Sequence, residues 1–328
     1  MIETPPPRPS LDRDRPVVAL GVALLATAVV LSAFYSRESG ELDLSNFAVG
    51  LLATGGLLLF AVGTYLRLQQ GDRASDLVAW PGAFGGVGVG LMVAVAMDTH
   101  DATPYVAGLL VVLLSAVGLA LTRRGPFVVT GVLGLLVAYL QGIDDAVGTG
   151  DGEGVPGVQI ALALALFAVL VTAAGWRLPA SRVLSGAVAG GVTVLGFAVL
   201  TGVLSFERSL SVAFSGMSSE DGVIYGSSFD GPGADSESYT ADAWTVLLLA
   251  LALVLGWCLC AAVTGHVAYR LLVVAMTVTI IPLAMQLLTV THPSWWGVVL
   301  GVAGGAVLVL AGLRALRPAP RPEPGPKP

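Results

Sequence analysis

Two aspartates and a histidine stand within four positions in the stretch AMDTHDATPY, at Asp98, His100 and Asp101. Carboxylates and imidazoles are ligands for zinc and manganese, and His292 follows in a second polar stretch. A metal site would require these four side chains to converge, which their positions along the chain do not establish. Aspartate is also common in short polar turns, where it caps helices and stays hydrated. The stretch is therefore predicted to be a turn, with a metal site as the alternative.

A second candidate site is the stretch TIIPLAMQLLT, in the middle of an apolar run. Pro282 has no backbone N–H to donate to the carbonyl of Val278, so a helix is expected to kink there. Gln286 follows one turn later, and Thr279 precedes the proline. The freed carbonyl, the amide and the hydroxyl could line a small polar pocket near the membrane midplane. The alternative is a proline kink whose polar groups are satisfied by neighbouring helices.

The composition defines the environment in which such sites would lie. Apolar residues make up 55% of the 328 residues, charged residues only 12%, and the mean hydropathy is +0.84. A soluble domain carries about 25% charged residues. The apolar residues form runs of about 20, the length that crosses a hydrocarbon core of about 30 Å. We therefore expect an all-α, polytopic transmembrane helix bundle.

The apolar runs predict ten membrane spans, separated by turns rich in glycine, proline and charge. An even number of spans places both termini on one side. The predicted spans are residues 17–35, 47–66, 77–97, 105–122, 126–142, 157–176, 183–204, 243–264, 270–290 and 295–316.

The distribution of charge predicts the orientation. All but two of the 16 basic residues fall on the side of the termini, and all but six of the 22 acids fall on the other. By the positive-inside rule, both termini are expected in the cytoplasm, with the protein in the plasma membrane. The expected parts are a Pro/Arg-rich tail at 1–16, a transmembrane domain at 17–316 with an outer acidic loop at 205–242, and a Pro-rich tail at 317–328.

One predicted helical hairpin is similar in sequence to hairpins of other membrane proteins. The double-arginine turn of LTRRGPFVVTGVLGLLVAYL resembles hairpins of uncharacterised polytopic bacterial membrane proteins. The ten-span topology with both ends inside also resembles the drug/metabolite transporter superfamily. That resemblance implies two five-helix halves and transport of a small solute, and it assigns no residue a role.

The sequence lacks the residues that several kinds of membrane-protein chemistry require. No ionisable residue lies in the middle of a predicted span, which weighs against a charged proton relay. There is no His-Glu-x-x-His helix for an intramembrane zinc protease. Cys258 and Cys260 point about 200° apart on a helix and are expected to be packing residues. Basic residues are scattered, which argues against nucleic-acid binding, and no cofactor is expected.

Glycines spaced four apart predict close helix packing. In the tenth span these are Gly297, Gly301 and Gly305. They pack either within the bundle or along the seam of a homodimer.

These observations favour a non-enzymatic envelope or assembly partner, in contact with lipid and with a partner protein or a second copy. The first alternative is a small-solute or lipid permease, with Pro282 and Gln286 near its pathway. The second is a glycosyltransferase that uses a lipid-linked sugar, since such enzymes place acids in their first outer loop. Here those acids are Glu38, Glu41 and Asp43.

Overall fold

The computed structural model describes residues 11–37, 41–67, 76–97, 100–147, 156–177, 183–215, 234–291 and 302. Over these ranges the chain forms helices joined by turns, in agreement with the expected all-α class. The helices are α1 (Leu11–Tyr35), α2 (Leu44–Arg67), α3 (Asp76–Met97), α4 (Thr103–Thr122), α5 (Gly125–Val147), α6 (Pro156–Arg177), α7 (Leu184–Ser215), α8 (Ala234–Thr264) and α9 (Val267–Thr291).

Nine helices in the described ranges are long and apolar enough to cross a membrane. Many of their large apolar side chains face outward, as in Leu59 and Leu195, which are 75% and 68% exposed. Such exposure suits lipid and would be unfavourable in water. The chain thus has the make-up of a multi-pass membrane protein. The tenth predicted span, with Gly297, Gly301 and Gly305, lies outside the described residues.

Successive helices alternate in direction, so their ends gather on two sides of the bundle. We call the side carrying the N-termini of the odd-numbered helices the basic side and the opposite one the acidic side. Contacts between the ends of α3, α4 and α5 illustrate this grouping. On the basic side Arg124, in the turn before α5, lies 3.9 Å from Asp76, the first residue of α3. On the acidic side Tyr105 of α4 bonds to Asp145 of α5 over 2.7 Å.

A tight reversal joins α4 to α5. Arg123 has a φ of +54°, in the left-handed region, and its backbone N–H donates to the carbonyl of Leu119 over 2.7 Å. This bond closes the end of α4 in the way that glycine usually does. The two arginines of the turn therefore lie at the end of a hairpin whose helices pack along much of their length.

The helices form two groups. Helices α1 to α5 pack mainly with one another, with α3 in contact with α1, α2, α4 and α5. Helices α6 to α9 form the second group, and α5 joins the groups through contacts with α6 and α7. The buried apolar side chains of the described residues form four clusters. The one with the most residues lies in the second group and includes Phe197, Tyr269 and Met276, which are fully buried.

Glycines on α3 allow its neighbours to come close. A Cβ at Gly88 would lie 2.7 Å from the Thr54 hydroxyl of α2, and one at Gly90 would lie 3.1 Å from the Ala107 carbonyl oxygen of α4. The first distance is one that real Cβ atoms essentially never show, and the second is tighter than most real Cβ contacts. The third helix can therefore sit at the centre of the first group because these positions have no side chain.

Four helices extend by five or more residues beyond the predicted spans. Helix α1 begins at Leu11, inside the expected tail 1–16. Helix α5 continues to Val147, where a turn was expected after residue 142. Helix α7 continues to Ser215, and α8 begins at Ala234, so both ends of the expected loop 205–242 are helical. Apolar residues at Phe206, Leu210 and Phe214 recur at helical spacing, which explains how a polar segment can prolong α7. Residues 216–233 lie outside the described ranges.

Candidate functional site

The residues predicted to form a midplane pocket lie on α9. Its inward face carries Leu272, Met276 and Leu283, which are buried against α7 and α8. Pro282 is exposed, on the surface of the described bundle. The Thr279 hydroxyl donates to the carbonyl of Ala275, in its own helix, over 2.9 Å.

The backbone of α9 is helical through Gln286, whose side chain lies outside what the structure describes. A pocket that used Pro282 would therefore lie against the outer surface of the described helices and not inside them. The assignment of a pathway to Pro282, Gln286 and Thr279 stays a prediction.

The candidate metal ligands are only partly described. His100 and Asp101 are exposed in the turn between α3 and α4, while Asp98 and His292 lie outside the described residues. The carbonyl of His100 accepts the N–H of Thr103 over 2.8 Å, which starts α4. Within the described ranges, no three His, Cys, Asp or Glu side chains meet in a way that could hold a metal ion. The metal site therefore stays a prediction as well.

Asp43 caps the start of α2. One carboxylate oxygen accepts the Ser45 backbone N–H over 2.8 Å and the Ser45 hydroxyl over 2.7 Å. The other carboxylate oxygen accepts a hydrogen bond from the side-chain amide of Asn46 over 2.9 Å. The Ser45 hydroxyl is the main cause of a lowered pKa of Asp43, followed by the Ser45 backbone N–H. These contacts satisfy a helix start, and they leave the carboxylate less available to activate a sugar acceptor.

The contact between the two helix groups is closed by apolar side chains. Val132 of α5, Phe167 and Val171 of α6, and Ala189 of α7 form one buried cluster. Beside it, the Tyr139 hydroxyl donates to the carbonyl of Ala163 over 3.1 Å. In two-group transporters a solute would pass between such halves. In the described part of this chain that position is filled by apolar side chains.

A polar cluster missed by the sequence analysis lies on the acidic side. Asp145 accepts one bond from the Tyr105 hydroxyl, over 2.7 Å, and one from the Gln141 amide, over 2.8 Å. Gln141 and Asp145 are four residues apart, a spacing that would have indicated a helix through this segment. The contact with Tyr105 depends on how α4 meets α5, and no sequence pattern indicates it. The cluster ties the acidic ends of these two helices together.

The interior of the α4–α5 hairpin holds a buried hydroxyl pair. The oxygens of Ser115 and Thr130 lie 2.8 Å apart. A Cβ at Gly131 would lie 3.3 Å from the Ser115 Cβ, so the helices are close at this level. The pair is satisfied within the hairpin and holds one helix to the other.

On the basic side of the second group, Tyr269 is fully buried. It lies beside Trp176 of α6, and its hydroxyl occupies the space that a Cβ at Gly186 of α7 would need. The Cγ2 of Thr172 of α6 would also lie close to that Cβ, at 3.2 Å. Gly186 therefore provides room for a large side chain of α9.

Some glycines have no such neighbour. A Cβ at Gly191 or Gly202 of α7 would meet nothing within 4 Å among the described residues. These two glycines share an outward face of α7 with Leu195 and Ala198, at positions i, i+4, i+7 and i+11. We call these four residues the α7 stripe. All four are exposed, so the stripe lies on the outside of the described bundle, with Leu195 as its large side chain between the two glycines.

No protein-family model, no curated protein and no solved structure matches this chain.

Proposed function

We propose that this chain is a non-enzymatic plasma-membrane protein that assembles with another membrane protein through the α7 stripe. Both termini lie in the cytoplasm, as the arginine-rich turns on the basic side favour. The role is that of an envelope or assembly partner, with the helix bundle as the rigid support of a docking surface.

The outward position of Gly191 and Gly202 is the observation that carries the proposal. Glycine in a helix is less favourable than alanine by about 1 kcal/mol. Within the bundle that loss is offset where neighbouring helices approach closely, as at Gly88 and Gly90. On the α7 stripe, where two such glycines share one face, a helix that packs against them would supply the same compensation, and small residues at a membrane interface allow such an approach.

The closed contact between the helix groups supports the same role. Phe167 and Val132 fill the position where a polar solute would pass, and nearby polar groups are bonded to backbone carbonyls. The Thr193 hydroxyl, for example, donates to the carbonyl of Ala189 over 2.8 Å. Such an interior favours a fixed bundle over one that opens and closes.

Site-specific photo-crosslinking in native membranes tests the proposal. A photoreactive amino acid is placed at Leu195, in the α7 stripe, or at Leu248 of α8, which is exposed to a similar degree. We expect a discrete adduct from position 195 that is absent from position 248. Mass spectrometry of the adduct distinguishes a second copy of this chain from a different protein.

A bulky residue should block the docking. Gly202→Leu is expected to abolish the adduct at position 195, whereas Gly256→Leu, at another open glycine, should leave it unchanged. Two results would contradict the proposal: equal labelling at positions 195 and 248, or a crosslink from 195 to the tenth span of the same molecule.

A small-solute or lipid permease is the second candidate. The division into α1–α5 and α6–α9 favours it, because two helix groups resemble the two halves expected of the drug/metabolite transporter superfamily. Its test is uptake into proteoliposomes that contain the full chain. Gln286→Ala should lower saturable uptake, while Gln141→Ala, at the acidic ends of α4 and α5, should not. Equal uptake by both variants at equal protein level would remove Gln286 from a pathway.

A further inference from the structure

A groove of about 380 Å³ lies between α1 and α3, near their ends on the basic side. The α1 wall includes Ala19 and Ala23, and the α3 wall includes Trp80 and Phe84. Both helices are long and apolar enough to cross a membrane, and the groove is open on the surface of the described residues, where lipid would meet it. Its volume is within the range of small-molecule sites, roughly 300–1,000 Å³.

The α3 wall of the groove is flat and aromatic. The rings of Trp80 and Phe84 are stacked, with centroids 5.9 Å apart and planes 26° from parallel. Both rings remain partly exposed, at 45% and 37%. The small side chains of Ala19 and Ala23 leave room opposite them. A trough of this shape suits an unbranched hydrocarbon chain that lies along the helices.

One end of the groove is charged. Among the described residues, Asp76 is the one charged residue in the groove's lining, and it is the first residue of α3, at the start of an apolar span. The Arg124 guanidinium lies 3.9 Å from the Asp76 carboxylate. Their side chains are 45% exposed for Arg124 and 56% for Asp76, so each has surface free to meet a further charged group. An apolar trough therefore ends beside an anion and a cation.

We propose that this groove binds a phospholipid with an aminoethyl-phosphate headgroup, of the phosphatidylethanolamine class. One acyl chain lies along Trp80 and Phe84. The lipid phosphate pairs with Arg124, and the primary ammonium donates to Asp76. A headgroup with only negative charge would be repelled by Asp76, and a choline headgroup has no N–H to donate. This inference is independent of the proposed role in assembly.

Lipid binding to the purified full-length chain in detergent tests the headgroup part of this proposal. Native mass spectrometry would compare phosphatidylethanolamine, phosphatidylcholine and the anionic phosphatidylglycerol, all with the same acyl chains. We expect the ethanolamine lipid to bind about tenfold more tightly than the other two, the difference typical of one charge-assisted hydrogen bond. Asp76→Asn should remove this preference, and Asp101→Asn, at an exposed carboxylate on the acidic side, should keep it.

A second pair of variants tests the acyl-chain part. Ala23→Phe fills the trough and should abolish retention of the ethanolamine lipid, while Ala120→Phe, at an exposed position on α4, should not. If Ala23→Phe does not fold, Trp80→Ala replaces it, with Phe60→Ala of α2 as the control of equal exposure. Equal binding of all three headgroups, tighter binding of the anionic lipid, or unchanged binding after the groove is altered would each overturn the proposal.

Discussion

Gly108 of α4 and Gly134 of α5 face each other so closely that neither position has room for a side chain. A Cβ at Gly108 would lie 2.6 Å from the Gly134 carbonyl oxygen, and one at Gly134 would lie 2.7 Å from that of Gly108. Backbone stands against backbone at this point, so rotation of a side chain cannot relieve the contact. The crossing of α4 and α5 is thereby set within the bundle.

Alanine at either glycine should therefore destabilise the protein. Gly108→Ala is expected to lower the free energy of unfolding by about 1–3 kcal/mol, because the helices must separate. Thermal unfolding in detergent measures the effect. Gly55→Ala, at an α2 position where a Cβ would meet nothing within 4 Å, is the matched control. Gly55→Ala should leave the stability unchanged or raise it. An equal loss of stability in the two variants would contradict the close contact between Gly108 and Gly134.

The hydroxyl pair at Ser115 and Thr130 should show energetic coupling. Ser115→Ala and Thr130→Val each remove one partner of a buried bond, and the double variant removes both. We expect a coupling free energy of about 0.6 kcal/mol, up to about 1.7, as for hydrogen bonds between membrane helices. A double-mutant cycle of unfolding free energies measures it. Strict additivity would show that the two hydroxyls are not bonded to each other.

The cap of α2 should weaken in acid. Since the bonds from Ser45 lower the pKa of Asp43, the ionised carboxylate is favoured in the folded state. The contribution of this carboxylate to stability is complete above the pKa of an unfolded aspartate, about 3.9. It is lost as the pH falls through the lower pKa of the folded state. The protection of the Ser45 and Asn46 amides against hydrogen exchange, relative to the intrinsic rate at each pH, should fall over that range.

Asp43→Ala should lower the protection of these amides at pH values above the folded pKa of Asp43 and should remove the dependence of that protection on acid. Asp101→Asn serves as the control, because Asp101 is exposed in another turn on the same side. A pH dependence that persists in Asp43→Ala would assign the effect to a different group.

The orientation can be measured by cysteine labelling. In a chain that carries Cys258→Ser and Cys260→Ser, single cysteines would be placed at Asp101 and at Arg177. A membrane-impermeant maleimide should label position 101 in intact cells and position 177 only after permeabilisation. The reverse pattern would invert the proposed topology, and labelling of both in intact cells would contradict the alternation of the helices.

The helical spans were predictable because each follows from local physical requirements. An apolar run of about 20 residues can cross a bilayer only with its backbone bonded within the segment, so length and hydropathy identify it. The ends of α5 and α7 were less predictable. Their polar residues resemble turn residues by composition, and the helices continue because residues one turn apart still support one another, as Gln141 does with Asp145.

The contacts that matter for function depended on the tertiary structure. Nothing in the sequence distinguishes Gly88, which is pressed against Thr54, from Gly191, which faces outward, because both lie in similar glycine-rich runs. The same is true of Trp80, whose neighbours on α1 are more than fifty residues away. The sequence alone determined that the chain forms apolar helices, since hydrophobicity and helix formation are local properties. The tertiary structure decided which faces meet, because packing brings together residues that are remote along the chain.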